Sequence, residues 1–272
     1  MSGRLVVCPT PIGNLEDVTL RVLSALREAD VIACEDTRTT KVLLDRYGVS
    51  AERVRYDANV ERRVAPKLVE RMRSGEVVAL VSDAGMPLVS DPGFVLVQAC
   101  VAAGLAVEVL PGPSAALAAL VASALPADSW RFVGFLPRKA TEATGVFASP
   151  ETVVAFEAPG RVAASLRTLA DIDPDRQVAV CRELTKLHEE VVRGTAADLA
   201  ARYAEAAPRG EVVLVIAGAP ADGPDADLET AVTALARLVE AGAKPRPAAG
   251  VVAGLTGYTA NAVYRAWTTS RG

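Results

Sequence analysis

The 272-residue chain is poor in histidine, cysteine and aromatic residues, and each scarcity excludes a class of protein. One histidine, His188, and four cysteines without a C-x-x-C pair exclude a His/Cys zinc cluster, so no metal is predicted. The cysteines lie scattered in apolar runs, which indicates buried free thiols and a cytoplasmic location. Aromatic residues make up 4% of the chain, too few for a broad base-stacking surface. No apolar run reaches about 18 residues, so no membrane span is predicted.

The common nucleotide-binding and hydrolase motifs are also missing. The chain has no G-x-G-x-x-G after a strand, which excludes an NAD site and the usual Rossmann-type S-adenosylmethionine site. It has no P-loop, and His188-Glu189-Glu190 does not form H-E-x-x-H. Ser114 lies in Gly-Pro-Ser-Ala instead of a G-x-S-x-G nucleophile elbow, so a serine hydrolase is not predicted.

Charge is distributed unevenly along the chain. The 29 Lys and Arg against 33 Asp and Glu give a net charge of −4. Residues 241–272 contain four basic residues and no acid, and further basic stretches lie at 53–73 and 131–139. Basic segments on an acidic protein indicate a polyanionic partner. The alternative is that they are solvated helix faces and termini.

The order of apolar runs predicts an α/β protein. Runs rich in β-branched residues alternate with helical patterns, which is typical of βαβ units with a parallel sheet. The runs lie at 4–8, 31–34, 77–81 and 106–110 and, after a break near Leu125–Asp128, at 131–135, 152–156, 177–181 and 211–217. A linker follows at 218–225, and the tail has a helix from about 228 to 241, a break at 244–247 and two short helical patterns. We therefore predict α/β domains at 1–124 and 125–222 and a helical, helix-turn-helix-like tail at 223–272.

Turn-forming residues follow four of the predicted strands, at 10–17, 35–38, 82–93 and 111–115. In open α/β sheets, ligands bind beyond the carboxyl ends of the strands. These loops are therefore the candidate binding site. Tight turns and helix caps are the alternative interpretation, and both can hold together.

The same loops resemble a known family when they are read in order. Four motifs carry the resemblance: Thr10-Pro-Ile-Gly-Asn-Leu-Glu-Asp17, Cys34-Glu-Asp-Thr-Arg38, Val81-Ser-Asp-Ala-Gly-Met-Pro-Leu-Val-Ser-Asp-Pro-Gly93 and Pro111-Gly-Pro-Ser-Ala115. They resemble the tetrapyrrole-methylase-fold enzymes and, among these, the 16S ribosomal RNA (cytidine 2′-O)-methyltransferases. Segments 134–137, 182–186 and 210–216 agree, and the resemblance extends from about residue 4 to 218, with a looser match at 260–264.

The resemblance implies two α/β domains with S-adenosyl-L-methionine in the cleft between them. It also implies a homodimer that transfers a methyl group to the ribose 2′-hydroxyl of a cytidine in 16S ribosomal RNA of the small subunit. The positions matching the cofactor-binding motifs are Pro11, Gly13, Asn14, Asp83, Ala84, Gly85, Ser90, Pro113, Ser114, Phe135 and Leu136. Phe135 and Leu136 would cover the adenine or, alternatively, pack in the core.

Candidate catalytic and RNA-binding residues follow from the same resemblance. Transfer to a weakly acidic hydroxyl is helped by a base or an electrostatic stabiliser. The candidates are Glu35, Asp36, Glu183 and Lys186, with a charged helix start and a surface salt bridge as the alternatives. The candidate phosphate contacts are Arg38, Arg62, Arg63, Arg138, Lys139 and Arg265.

Two positions depart from the family pattern. Met86 stands where threonine is usual, and Phe156-Glu-Ala-Pro-Gly-Arg161, which contains Gly160, replaces a more polar version that carries an aromatic residue, serine and histidine. Two other functions remain open from the residues alone: methylation of a tetrapyrrole or corrinoid precursor by the same fold, and a non-catalytic nucleic-acid-binding protein. The basic tail disfavours the first, and the intact loop set disfavours the second.

Overall fold

The computed structural model describes residues 3–220 and 228–270. It divides into two compact units, one ending at Gly218 and one beginning at Ala219. Within residues 3–220, ten strands form two five-stranded sheets.

The first sheet is entirely parallel, as the alternation of strands and helices predicts. Its strand order is β3-β2-β4-β1-β5. The strands are β1 (Arg4–Val7), β2 (Val31–Cys34), β3 (Glu52–Arg55), β4 (Val77–Val81) and β5 (Ala106–Val109). The helices are α1 (Leu20–Glu28), α2 (Thr37–Tyr47), α3 (Glu61–Arg73), α4 (Phe94–Ala102) and α5 (Ala115–Ser123), with a short 3₁₀ helix at Leu15–Asp17.

The central strands of this sheet are covered on both faces. Residues 78–81 of β4 are buried, and alternate side chains of β4 belong to two different apolar clusters. A strand buried on both faces needs an unbroken apolar sequence, which the Val77–Val81 run supplies. The sequence missed β3 because Glu52-Arg-Val-Arg55 is largely exposed at the sheet edge and carries no apolar run.

The second sheet is mixed, with strand order β6-β7-β10-β8-β9. Its strands are β6 (Trp130–Phe135), β7 (Thr152–Glu157), β8 (Gln177–Arg182), β9 (Glu190–Thr195) and β10 (Val212–Ile216). Only the β6–β7 pair is parallel among these neighbours; β7–β10, β10–β8 and β8–β9 are antiparallel. The helices are α6 (Ala140–Phe147), α7 (Val162–Ala170) and α8 (Ala196–Glu205), with a 3₁₀ helix at Pro159–Arg161. The sequence missed β9, whose Glu190, Arg193 and Gly194 interrupt its apolar residues.

Side-chain caps fix where several helices begin. Polar oxygens accept hydrogen bonds from main-chain N–H groups of the first turn, which the helix itself leaves unsatisfied. The caps are Asn14, Thr19, Asp36, Ser114, Thr195 and Thr259. Three of them, Asn14, Asp36 and Ser114, lie within predicted binding loops.

In the sequence, all strands of the first sheet precede the predicted boundary near residue 125, and all strands of the second sheet follow it. The chain up to Gly218 is nevertheless one compact unit. The division into domains at 1–124 and 125–222 therefore stays a prediction.

Residues 228–270 form three helices around a small core of their own. The helices are α9 (Leu228–Glu240), α10 (Pro245–Thr256) and α11 (Ala260–Thr269). Leu235, Val252 and Trp267 are among the core side chains. The break that the sequence predicts at 244–247 lies instead at 241–244, because Lys244 is the N-cap and Pro245 occupies the first turn of α10, where proline is favourable. Most of the predicted linker at 218–225, and the start of the predicted tail, lie outside the described residues. None of the described helices has the length and apolarity that a bilayer crossing requires.

The core of the second sheet gives a direct stability test. Leu214 on the central strand β10 is 0% exposed, whereas Leu187 is 93% exposed. We expect Leu214→Ala to lower the free energy of unfolding by about 2–5 kcal/mol, since the truncation leaves a cavity. Leu187→Ala, the matched control, should change it by less than about 0.5 kcal/mol. Urea unfolding measures both, and similar losses in the two variants would contradict the assigned core.

Candidate functional site

A cavity of about 410 Å³ opens where loops of the first sheet meet the second sheet. Its lining comes from the loops after β1, β4 and β5, from the ends of β6, β7 and β8, and from the start of β10. Because β10 runs antiparallel to β7 and β8, its first residue lies beside the last residues of both strands. The lining residues are Ile12, Ala84, Gly85, Met86, Val89, Ser90, Asp91, Ser114, Ala115, Phe135, Phe156, Glu157, Ala158, Pro159, Cys181, Leu184, Gly210, Glu211, Val212 and Val213.

The loops after β1 and β4 are joined by main-chain hydrogen bonds. The Thr10 N–H donates to the Gly85 carbonyl at 2.8 Å, and the Gly85 N–H donates to the Thr10 carbonyl at 2.9 Å. The Thr10 hydroxyl also donates to the Ser82 carbonyl at 3.1 Å. This isolated antiparallel bridge holds Ile12 and Gly85 at the cavity wall.

The loop from Ser82 to Gly93 has an unusual backbone. Leu88 and Ser90 have φ of 73° and 70°, a left-handed conformation that costs a non-glycine residue about 1–3 kcal/mol. Gly93 has φ of 139°, a conformation that strains any residue with a side chain, and a Cβ there would also lie 2.7 Å from Leu88 Cδ1 and 3.0 Å from Leu80 Cδ2. The strained backbone brings Ser90 and Asp91 to the cavity.

Three carboxyl groups gather at the ends of β2 and β4. Burial raises the pKa of Asp91 to about 6, and the charge of Glu35 adds to the effect. Burial, followed by the charge of Asp83, also raises the pKa of Glu35. The pKa of Asp83 is raised mainly by burial, although its Oδ1 accepts a hydrogen bond from the Asp36 N–H at 3.0 Å. Asp91 and Glu35 are therefore better proton acceptors than an ordinary carboxylate.

Asp36 has a different environment, although it follows Glu35 directly. It caps α2 by accepting from the Arg38 N–H at 2.8 Å and forms a 2.6 Å ion pair with the Arg38 guanidinium. The side-chain hydrogen bond from Arg38 is the main cause that lowers the pKa of Asp36 to about 2. Such a strong acid is a poor proton acceptor, so the contacts favour a capping role for Asp36.

Glu183 and Lys186 belong to an ion cluster at the cavity rim. Lys186 Nζ lies 2.8 Å from Glu183 Oε1 and 3.0 Å from Glu211 Oε2. The hydrogen bond from Lys186 is the main cause that lowers the pKa of Glu183. Glu183 also accepts from the Glu211 N–H at 2.9 Å. The contacts of Lys186 are therefore those of the salt bridge given as its alternative role. Of the three residues in this cluster, Glu211 lines the cavity.

The loop after β1 interlocks with the loop after β8. The Asn14 N–H donates to the Thr185 hydroxyl at 3.1 Å. A Cβ on Gly13 would lie 2.4 Å from Lys186 Cγ and 2.8 Å from Thr185 Oγ1, so only glycine fits without a shift. Gly13 and Asn14 therefore join the two sheets instead of lining the cavity.

The structure brings together five of the eleven predicted cofactor contacts on the lining. These are Ala84, Gly85, Ser90, Ser114 and Phe135. Pro11, Gly13, Asn14, Asp83 and Pro113 belong to the same loops without lining the cavity. The Leu136 side chain is 2% exposed and packs in the core of the second sheet, which is the alternative considered for it. The contact roles of all eleven stay predictions.

The sequence also missed several lining residues. Asp91 follows Ser90 within the motif at 81–93, so its position in that motif could have indicated it. Glu157 and Glu211 reach the cavity through strand pairing, which the sequence does not display. Cys181 lines the cavity too, but burial raises the pKa of its thiol to about 11, so it is not a nucleophile near neutral pH. All four cysteines are free and buried, as predicted.

The predicted phosphate contacts are all exposed on the surface. Arg38 pairs with Asp36, and Lys139 pairs with Glu142 at 3.0 Å. In the part of the chain that the structure describes, four of the six have no carboxylate partner within 4.0 Å: Arg62, Arg63, Arg138 and Arg265. Across residues 3–220 and 228–270, no group of three or more His, Cys, Asp or Glu residues is arranged to hold a metal ion.

Comparison with known proteins gives consistent family matches. The sequence profile of the Tetrapyrrole (Corrin/Porphyrin) Methylases matches residues 4–200. A Ribosomal RNA small subunit methyltransferase I from Mesorhizobium japonicum is 45% identical over 269 residues, covering 96% of this chain and 90% of that protein. A protein of the same name from Thermotoga maritima is 39% identical, covering 79% of this chain and 99% of that protein.

A solved structure shares the fold. It is the uroporphyrin-III C-methyl transferase of Thermus thermophilus complexed with S-adenyl homocysteine. The TM-score is 0.57 at 22% identity, covering 79% of this chain and 97% of that one. At this level of identity the likeness supports the shared fold alone, which for this chain is the two-sheet architecture of residues 3–220.

The raised pKa of Asp91 predicts a pH-dependent effect on stability. An unfolded aspartate titrates near about 3.9, so the folded chain, with a pKa of about 6, holds this proton more tightly. That stabilisation is complete below about pH 4 and is lost as the pH rises through about 6. The free energy of unfolding of Asp91→Asn, relative to that of the wild type, should therefore be higher at about pH 7.5 than at about pH 4.

Urea unfolding at both pH values measures this gain, with the exposed Asp175→Asn as the matched control. Asp175→Asn should show no comparable change between the two pH values. An Asp91→Asn difference that is the same at both pH values would contradict a raised pKa.

Proposed function

The chain belongs to the tetrapyrrole (corrin/porphyrin) methylase family and groups with the ribosomal RNA small subunit methyltransferase I proteins, and on this basis we propose that it methylates 16S ribosomal RNA with S-adenosyl-L-methionine. The acceptor in this proposal is the ribose 2′-hydroxyl of a cytidine. The observation that carries it is the cavity formed by the family's motif loops at the meeting of the two sheets.

The cavity residues fit such a cofactor. A volume of about 410 Å³ lies in the range of small-molecule sites, about 300–1,000 Å³. Phe135, Phe156 and Val213 offer apolar surface for an adenosyl group, and the Ser90 and Ser114 hydroxyls offer polar contacts. Asp91 supplies a carboxylate that complements positive charge on a sulfonium or ammonium group. When bound, the cofactor supplies an electrophilic methyl group.

The chain's own part in the reaction is to hold the hydroxyl in line and to accept its proton. Orientation of the reacting atoms can contribute several kcal/mol, on the order of 7–11 for well-aligned reactions. Asp91 lines the cavity, and Glu35 lies close enough to raise its pKa. These two carboxyl groups are the proposed proton acceptors, with Asp36 holding the start of α2. Glu183 and Lys186 are proposed to hold Glu211 at the rim.

The exposed arginines support a polyanionic substrate. Arg62, Arg63 and Arg138 are exposed without a carboxylate partner among the described residues, so they are available to phosphates. Each such contact makes binding weaker at higher salt. Arg265 is exposed on α11 of the C-terminal unit and is a further proposed contact. We propose action in the cytoplasm, where a bacterial-type small subunit is assembled.

The relatives favour RNA over a tetrapyrrole or corrinoid precursor. The relative from Mesorhizobium japonicum, named for ribosomal RNA, is 45% identical over 96% of the chain. The uroporphyrin-III enzyme is only 22% identical, which supports the shared fold alone. A non-catalytic nucleic-acid-binding protein would have no need for the lined cavity.

The test is transfer of tritiated methyl groups from S-adenosyl-L-methionine to unmodified small subunits and to naked 16S RNA. We expect label at a cytidine that resists alkaline cleavage, because 2′-O-methylation blocks attack by that hydroxyl. Base methylation would contradict the 2′-O assignment, and label on a tetrapyrrole precursor alone would favour the second function. If calorimetry detects no binding of S-adenosyl-L-methionine, the proposal that the chain is a methyltransferase using this cofactor is contradicted.

A matched variant pair checks the RNA surface in the same assay. Arg62→Ala combined with Arg63→Ala should leave cofactor affinity unchanged, raise the KM for RNA and reduce the salt dependence of binding. Arg38→Ala removes an arginine that is already paired with Asp36 and should have a smaller effect. Equal effects of both changes would contradict the role given to the unpaired arginines.

We also propose that the chain forms a homodimer. Residues 94–127 contain a single charged residue, Glu108, yet α4 and α5 within this segment expose Phe94, Val101, Leu117 and Val121. Exposed apolar helices of this kind mark protein interfaces, and their lack of cations makes them unsuited to RNA. A second copy of the chain is the proposed partner.

Sedimentation measurements test the dimer. Val121 is 82% exposed, so Val121→Glu should leave the fold intact while burying a charge in the interface and shifting the chain to monomer. Val42→Glu, also at an exposed valine, is the control and should remain dimeric. A wild-type monomer at micromolar concentration, or dissociation by both variants alike, would contradict the proposed surface.

A further inference from the structure

Phe135 is an exposed side chain on the cavity wall, at the last paired position of β6 and opposite Phe156 of β7. Its side chain is 59% exposed and lines the cavity. The register of β6 against β7 shifts between Phe132 and Phe135, so the regular ladder is interrupted just before the wall. The ring contacts Phe156 edge to face at 5.6 Å. The Leu136 N–H still donates to the Phe156 carbonyl at 3.0 Å, and the pairing of β6 with β7 ends there, so the carbonyls of Leu136 and Pro137 find their partner outside this strand pair.

Arg161 holds that segment through its guanidinium group. Arg161 Nη2 donates to the Pro137 carbonyl at 2.7 Å, and both Nη1 and Nη2 lie 3.3 Å from the Leu136 carbonyl. These two carbonyls belong to the residues directly after Phe135. Both Nη atoms donate to main-chain carbonyls, which distinguishes Arg161 from the unpaired surface arginines proposed to contact phosphates.

Glu157 in turn orients Arg161. The Glu157 side chain is 0% exposed, and its Oε2 lies 3.4 Å from Arg161 Nη2. The Ser165 hydroxyl donates to Glu157 Oε2 at 2.5 Å, and the Ala158 N–H donates to Oε1 at 2.8 Å. A buried carboxylate with these partners is held in one geometry, and losing its cation would leave an uncompensated buried charge.

We propose that Arg161, anchored by Glu157, is a positioning residue that sets the Phe135 wall of the cavity and thereby the affinity for the cofactor. The inference rests on the proposed S-adenosyl-L-methionine site and assigns Arg161 no contact with the cofactor or the RNA. Planar bidentate donation is a property of arginine that lysine lacks. A positive charge at position 161 is therefore not sufficient to hold both the Leu136 and the Pro137 carbonyls.

The first test is calorimetric binding of S-adenosylhomocysteine and S-adenosylmethionine to Arg161→Lys. Replacing a fork of charge-assisted hydrogen bonds with one ammonium should weaken both affinities about tenfold. At saturating cofactor, kcat and the KM for RNA should stay within about twofold, since the wall is then occupied. Arg167→Lys, at an exposed arginine on the helix α7 that follows Arg161, is the matched control and should bind like the wild type.

A double-mutant cycle separates positioning from general destabilisation. Phe135→Leu alone should weaken binding, and adding Arg161→Lys should cause little further loss, because the side chain that Arg161 positions is already gone. Additive losses would overturn the inference. If Arg161→Lys unfolds, Arg161→Gln, which keeps neutral donors, takes its place in the cycle.

The outcomes distinguish this inference from the proposed function. Wild-type chain that binds neither S-adenosylhomocysteine nor S-adenosylmethionine overturns the proposed function, and this inference with it. Wild-type binding with unchanged affinity in Arg161→Lys overturns this inference alone. A rise in the KM for RNA at saturating cofactor would assign Arg161 to the RNA instead and would also overturn it.

Discussion

The close contact between the loop after β1 and the loop after β8 is the constraint on which the cavity depends. Gly13 leaves no room for a side chain against Thr185 and Lys186, and the Asn14 N–H donates to the Thr185 hydroxyl at 3.1 Å. The Thr10–Gly85 bridge extends the same loop to the end of β4. Loops from both sheets are thereby fixed around one cavity, and a change at Gly13 would act on all of them.

The cavity combines apolar walls with charges that are held differently. Glu157 is bound by Ser165 and Arg161, and Glu211 is bound by Lys186, so these two of the three lining carboxyl groups have a cation partner. Asp91 has no ion pair among the described residues, and its pKa is raised by burial. An acidic group in this state is suited to a cationic ligand or to a departing proton, which fits the proposed methyl transfer.

The sequence predicts what local patterns encode and misses what pairing creates. The apolar runs of β1, β2 and β4 are clear because these strands are buried, whereas β3 is charged and exposed at an edge. The motif loops indicated Ala84, Ser90 and Phe135 at the cavity, but Leu136 turned inward to the core after the irregular end of β6. The sequence did not identify Glu157 and Arg161 as an ion pair that holds the Leu136 and Pro137 carbonyls, because these residues come together only in the fold.

The most direct measurement is a crystal structure of the chain with S-adenosylhomocysteine. We expect the ligand in the cavity between the Ser82–Gly93 loop and Phe135, with Arg161 still hydrogen-bonded to the Leu136 and Pro137 carbonyls. Phe135 should contact the ligand while Asn14 remains bonded to Thr185. Ligand bound elsewhere on the chain, or a cavity that stays empty at saturating ligand, would contradict the proposed cofactor site.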